Sequence, residues 1–504
     1  MKTNRRWIAG AAVLFVAVVT LGGCRQIVGS GGGGGTTGVP LDAGIDAVWA
    51  RSTTTGSGSS VFTQVAVADD AVYAVGYVAD DQPLSFADGV SVTGTNAGDE
   101  QSGSRNNSVI VRYSAAGDAN WARTTEASPE GGLAQFGGVA LVGGAVFAAG
   151  VQAPDGEYRY GPEETAWADG PFSGGNAVIV SYDGDGTALW ARTMEAAPQA
   201  SGYQAIAAGG AGVVAVGYLF GEGTYDLGNG VAVAAVNSGA PSAPIQNALI
   251  VSFTAQGEPA WARSVADASA GTRFWTVAVA PDGSVYAGGS QDGDNLVDYG
   301  SGATAAGSTF TNGVLVKYDA NGNPQWSAVT EASVGAIEAA ANGTVIVAGG
   351  KQGLPYLAAY APSGAKLWES VATVPGSDSP PPGGFNAVAV DPNGLIFAVG
   401  IHAGDAPRDY GNGVVVQGAH GELKSNAVFV VFGPDGTALA GLAGEGPADG
   451  SNLFTGVAAT TSGALFAVGL QAADHDYSYG PDATTSGADD ANNALVVRYD
   501  LTVK

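Results

Sequence analysis

Three histidines, one cysteine and a recurring set of tyrosines and carboxylates are the residues of this chain that could hold or act on another molecule. His402, His420 and His475 could move protons or bind a metal, but no two stand at a metal-ligand spacing. Cys24 is the only thiol, so the chain can form no internal disulfide. No Gly-x-Ser-x-Gly elbow occurs, and the glycine-rich stretches at 31–35 and 207–212 lack the strand-to-helix context of a phosphate loop. Asp183-Gly184-Asp185-Gly186 and Asp319-Ala320-Asn321-Gly322 have the look of calcium loops. Neither has an acid at the twelfth position, and Asp and Gly are also what a tight hairpin requires. No catalytic residue, metal or cofactor is therefore expected. The rival is an enzyme that binds or cleaves polysaccharide, which would need rim carboxylates, tyrosines and histidines to converge on one mouth.

Two sets of residues recur. Tyrosines fall in short motifs ending in glycine: Tyr158-Arg159-Tyr160-Gly161, Tyr225-Asp226-Leu227-Gly228, Asp298-Tyr299-Gly300, Asp409-Tyr410-Gly411 and Tyr477-Ser478-Tyr479-Gly480, with Phe86 and Gly89 a weaker version. Tyrosine suits recognition because it offers large contact area and a polar tip at small entropic cost. Recurrence in nearly every copy equally fits a ring that pins its segment to the body. Carboxylates recur at Glu126, Glu195, Glu331 and Glu445, each five residues after a tryptophan position, with Asp267 one place later. They could draw a cation or a basic segment, or pair with Arg123, Arg192 or Arg263.

The elements that must position these residues repeat. An alternating apolar run, a turn and a second run ending in Gly occur at 62–76, 136–150, 203–217, 274–288, 334–349, 385–400 and 454–469. A third run usually opens on Asn, as in NSVIVRY at 107–113 and NALVVRY at 493–499. A fourth follows a glycine four residues before a tryptophan: Gly117 and Trp121, Gly186 and Trp190, Gly257 and Trp261, Gly322 and Trp326, Gly364 and Trp368. In the next copy Ala440 replaces the tryptophan after Gly436. Period-two alternation in all four runs predicts an antiparallel blade of strands A to D. Trp49 lies in a strand D with no A to C before it, and 454–499 supplies A to C with no D after it. Joined, they complete a seventh blade and remove the open edge. The expected fold is all-β: a seven-bladed β-propeller of four-stranded antiparallel blades, closed when the N-terminal strand D joins the C-terminal strands A–C.

The tyrosine motifs lie in insertions between strands B and C, so six blades are expected to raise an arm from one rim. In blade five only Lys351, Gln352 and Gly353 join B to C, while the connection leaving that blade carries Pro380, Pro381 and Pro382. A missing arm beside an elaborated loop predicts a notch. Candidate partner-binding residues are Tyr410 and Tyr477 on arms, Pro381 beside the notch and Glu331 at the rim. Replacing both tyrosines by alanine would weaken binding alone if they are contacts, and lower melting if they pin the arms.

The 504 residues carry a formal charge of −27, with 46 acidic and 19 basic side chains. Such a body repels nucleic acid and anionic lipid headgroups, so nucleic acid is excluded as a partner. Met1–Arg6 is a basic segment and 7–20 an apolar one, too short for a comfortable membrane span. Leu21-Gly22-Gly23-Cys24 then resembles the lipobox of bacterial lipoproteins, which implies a signal peptide over 1–23 and a lipid on Cys24 that binds the membrane. Residues 24–40, with five consecutive glycines, read as a tether, and 41–504 as the propeller. Arg25 is not the acidic residue that resembles an inner-membrane retention signal, so the expected location is the outer membrane of a bacterial envelope. The A–B units resemble the SBBP-type propeller repeat, and the NAVIVxY and Gly-x-x-x-Trp segments resemble envelope lipoproteins built from it. That resemblance implies the fold and carries no agreed activity. The Gly-x-x-x-Trp element is also similar to that of quinoprotein propellers, whose vicinal cysteines this chain lacks. The functional expectation is a non-enzymatic, membrane-anchored binding or scaffold protein that recognises a protein partner, with glycan the alternative.

Overall fold

The computed structural model describes residues 43–503, apart from 57, 69, 80, 96–105, 128–131, 154–155, 169–174, 211, 237–244, 268–269, 309, 378, 422–423 and 489–490. Cys24 and the residues expected to form a signal segment and a tether lie outside the described residues. Short Val- and Ala-rich runs cannot satisfy their own backbone groups, and here each pairs with the next across tight Asp- and Gly-bearing turns. The result is seven four-stranded antiparallel sheets in strand order A-B-C-D. Strands A begin at Ser60, Ala134, Ser201, Thr272, Ser333, Gly383 and Asn452 in blades one to seven.

Blade seven closes the ring. Its strands A (Asn452–Ala459), B (Leu465–Ala472) and C (Asn492–Val503) are completed by Ala43–Ser52 as strand D. The register runs antiparallel from Ala43 opposite Val503 to Ser52 opposite Leu495, with one bulge between Ala47 and Trp49. Around the axis, side chains of strand A reach the next blade: Thr63 Oγ1 donates to Phe136 O (2.9 Å), Asn386 Nδ2 to Phe454 O (2.7 Å) and Thr455 Oγ1 to Phe62 O (2.6 Å).

The Gly-x-x-x-Trp element latches blade to blade. Each tryptophan lies over the glycine of the following blade's C–D turn, where a Cβ on Gly322 would fall 2.5 Å from Trp261. The same glycines have positive φ, Gly322 at 74°, so two constraints demand glycine at one place. Indole Nε1 of Trp49, Trp121, Trp261, Trp326 and Trp368 donates to a carbonyl of that turn at 3.0–3.1 Å. The missing tryptophan of blade six now has a physical reason. A residue at 440 would dock on the C–D turn of blade seven, and that blade has none because its C and D strands come from the two ends of the chain. The calcium-like runs are also explained: Asp183 Oδ1 accepts from Asp185 N and Thr187 N, and Asp319 Oδ1 from Asn321 N and Asn323 N. Both are side-chain-closed hairpin turns.

Candidate functional site: the flank at blades five and six

Six blades carry the expected insertion, each a two-stranded ribbon: 83–85 with 91–93, 156–159 with 165–168, 222–226 with 232–236, 296–298 with 304–306, 408–409 with 415–416, and 476–478 with 484–486. The expectation that these arms rise above the rim is corrected. They fold back along the outer edge of their own blade. Asn229 Nδ2 reaches Pro259 O (3.4 Å), Asn412 Nδ2 reaches Ala438 O (2.9 Å), and Asp88 Oδ2 accepts from Ala119 N (3.0 Å), all at the first or next residue of a strand D. The cause is backbone pairing. The D–A connection entering each of these blades zips onto the arm, as Thr55 with Ser85, Glu126 with Arg159, Ala196 with Asp226, Asp267 with Asp298, Thr373 with Asp409 and Glu445 with Ser478. The recurring carboxylates Glu126, Asp267 and Glu445 thus mark the zipper position at three of these six junctions. Arg51, Arg123, Arg192 and Arg263 lie 5.3–5.8 Å over the tryptophan two residues before each, instead of pairing with those acids.

The tyrosines fill the interior of the same joint. The aromatic residue ahead of the arm glycine, or Phe86 three residues ahead of Gly89 in blade one, packs against the first phenylalanine of strand A: Phe62 with Phe86, Phe136 with Tyr160, Phe274 with Tyr299, Phe385 with Tyr410 and Phe454 with Tyr479, with centroids 5.8–5.9 Å apart. Tyr160, Tyr299 and Tyr479 donate to a glutamine at the end of strand B, Gln152, Gln291 and Gln471. Two positions earlier, Tyr225 donates to Phe220 O, and Tyr477 donates to Ala472 O while accepting from Ser451 N. Tyr410 is 3% exposed and Tyr477 1%, so the structure places both inside the arm joint, where they pin the arm and offer no contact surface. His420 stacks edge-on against Tyr477 at 5.7 Å and shares a 2.8 Å hydrogen bond with Pro447 O, while His475 lies more openly beside the same ring. Burial lowers the His420 pKa, with the Pro447 contact opposing it. Among the described residues no group of three or more His, Cys, Asp or Glu could hold a metal ion.

Blade five is built differently. It has no ribbon, and the connection entering it from blade four has shrunk to Glu331 and Ala332. Without an arm ring to fill the joint, strand C (Leu354–Tyr360) carries Tyr356 where other blades carry Val109, Val178, Val314 or Val428. Four charges cover it. Lys351 bonds Glu331 (2.8 Å) and Glu369 (3.0 Å), and Lys366 bonds Glu369 (2.7 Å) and Glu331 (3.4 Å). The Lys351 ammonium lies 5.7 Å over the Tyr356 ring. Glu331, chosen from sequence, is the most open of the four at 63% side-chain exposure. Its bond to Lys351, and the nearby Lys366, hold its pKa below the usual carboxylate range. Leu367 stands 55% exposed on the bare outer strand. Lys351, Lys366, Glu369 and Tyr356 were not singled out from sequence, although the absent arm was the signal that something must take its place.

The proline-rich connection lies over the next joint. Gly383 N donates to Gly353 O (2.7 Å) and Ala403 N to Pro382 O (2.8 Å), so 380–383 runs between the short hairpin of blade five and strand B of blade six. Pro381 O and Pro382 O both accept from Arg408 Nη2, at 2.6 and 3.0 Å. Pro381 therefore meets Arg408, two residues before Tyr410 on the same arm, whereas Tyr477 stands apart at the arm of blade seven. On the opposite rim the A–B turns ring a shallow mouth of about 570 Å³, lined by Ala208, Pro281, Ala340, Asp391, Pro392 and Thr460. Asp391 spends its carboxylate on Asn393 N and Leu395 N of its own turn.

No known family model matches the chain, and no curated protein does either. The chain's similarity to solved structures is weak. The Neurospora crassa Pan2 WD40 domain is 9% identical over 72% of this chain and 88% of its own, with a TM-score of 0.33. Prolyl oligopeptidase B from Galerina marginata, as the apo protein, is 8% identical over 83% of this chain and 56% of its own, with a TM-score of 0.31.

Proposed function

We propose that this chain is a non-enzymatic binding or scaffold propeller of the bacterial cell envelope, tethered through a lipid on Cys24, that recognises a protein partner at the armless flank of blade five. The observation that carries the reading is the asymmetry of the ring. Six blades repeat one arm joint, and blade five replaces it with an open lattice of two lysines and two glutamates beside a bare outer strand. A ring held together only for its own sake has no need of that exception. Alternating charges favour a partner of complementary pattern and discourage indiscriminate edge pairing. Exposed ion pairs add little stability, so their worth lies in selectivity.

The ends of the chain fit a tethered role. Strand D of blade seven starts at Ala43 on the rim of the A–B turns, and the D–A connections leave from the other rim. A tether entering there would bring the channel mouth toward the membrane and leave the flank free to meet a partner; confinement to a surface raises the effective concentration of both.

The test is capture from cross-linked envelope extract by the full chain, beside a variant in which the blade-six arm is grafted between Lys351 and Leu354. A defined protein retained by the parent and lost on grafting supports the reading. Equal retention by both moves recognition away from blade five. Retention of glycan alone would overturn the protein partner.

A further inference from the structure

The arm of blade six departs from the other five at two interior positions. Arg408 occupies the place of Leu84, Tyr158, Tyr225, Val297 and Tyr477, and His402 the place of Gln152, Gln291 and Gln471 at the end of strand B. The exchange breaks the hydroxyl–amide pair that satisfies three other joints. Tyr410 Oη, both ring nitrogens of His402, and Nε and Nη1 of Arg408 are buried with no hydrogen-bond partner among the described residues. Exposure is 0% for His402, 1% for Arg408 and 3% for Tyr410. His402 and Arg408 meet at one glycine: Gly383 is the register partner of His402, and a Cβ there would lie 3.1 Å from Arg408 Cζ, while the Arg408 charge acts on the Tyr410 phenol two residues along the same arm. Only Nη2 is engaged, by the two proline carbonyls, and no carboxylate of the described residues pairs with the guanidinium.

An unpaired buried charge is a severe burden on a fold, and the natural remedy is a counter-charge. Every orphaned group here is a donor or can become one: two guanidinium nitrogens, a phenol and a neutral imidazole. Such a set is complementary to an anion. Near-complete burial beneath the proline carbonyls limits that anion to a single dehydrated atom or little more. We propose that Arg408, His402 and Tyr410 hold one halide-sized inorganic anion under Pro381–Pro382. The bound anion neutralises the guanidinium, and the guanidinium in turn holds the loop that borders the charged flank of blade five. The site stands whether or not that flank binds a protein.

Crystals of the full chain grown in sodium bromide test the site directly. An anomalous peak within hydrogen-bond distance of Arg408 Nε or Nη1 is expected; a water at that place, or nothing, overturns the proposal. Melting in bromide against gluconate at equal ionic strength gives an independent readout. The parent should gain a few degrees in bromide, and the double variant Arg408→Tyr with His402→Gln, which restores the residues of other arms, should fold and gain none. An equal gain in both would reduce the effect to general salt stabilisation and overturn the site. Asp378, the only carboxylate between Thr373 and Gly383, lies outside the described residues. A bromide response appearing only after Asp378→Asn would assign the counter-charge to the loop itself, and would also overturn the proposal.

Discussion

Tyr477 and Tyr410 occupy neighbouring places in one repeated motif, yet their hydroxyls have opposite circumstances. The first donates to Ala472 O and accepts from Ser451 N; the second has no partner. Tyr477→Phe should therefore cost about 1 kcal/mol of stability, whereas Tyr410→Phe in halide-free buffer should be neutral or slightly stabilising, as denaturant midpoints will show. Glu338 is a second exception of this kind. It stands on strand A of blade five where the other blades have Ala66, Ala140, Ala207, Ala278, Ala389 and Ala458. Burial raises its pKa from 4.5 to about 7. The folded chain then holds a proton that the unfolded chain releases, so stability falls as pH rises through that interval. Glu338→Gln should melt higher than the parent at about pH 8 and match it near pH 4, and a constant difference across pH would disprove the linkage. Glu338 and Arg408 were both visible in the sequence once copies are set in register. Motifs are defined by what recurs, and these residues matter by failing to recur.

At the scale of the element, the blades were legible and the arms were not. A strand alternates, a hairpin turn has Asp and Gly, and a tryptophan four residues after a glycine repeats; all three signals are local. Whether an insertion stands up or lies down is decided by pairing with a connection about thirty residues away, as Thr55 pairs with Ser85. No periodicity records that. The latch allows a sharp test because one blade lacks it for a geometric reason. Trp190→Ala, which empties the space over Gly257, should cost about 2–4 kcal/mol. Ala440→Trp should give no comparable gain, because no C–D turn lies opposite it to receive the indole. A gain equal to the loss at Trp190 would mean that tryptophan stabilises its own blade and is no latch.

For the whole molecule, closure between the first strand and the last means that the ring has no natural beginning. A permutant joining Val503 to Ala43 through a short hairpin linker, opened at another C–D turn, should melt within a few degrees of the parent, since Ala43 and Val503 already face each other. Removing 43–52 instead leaves blade seven with a bare strand C and should abolish the single cooperative transition. The same closure sets how the molecule answers to force. A pull applied at Ala43 along strand D of blade seven acts parallel to that strand. The hydrogen bonds to strand C, nine register pairs from Ala43 to Ser52, then share the load in shear and do not open one at a time like a zipper. Tension that would peel a terminal hairpin open pair by pair is shared along the whole clasp of the ring.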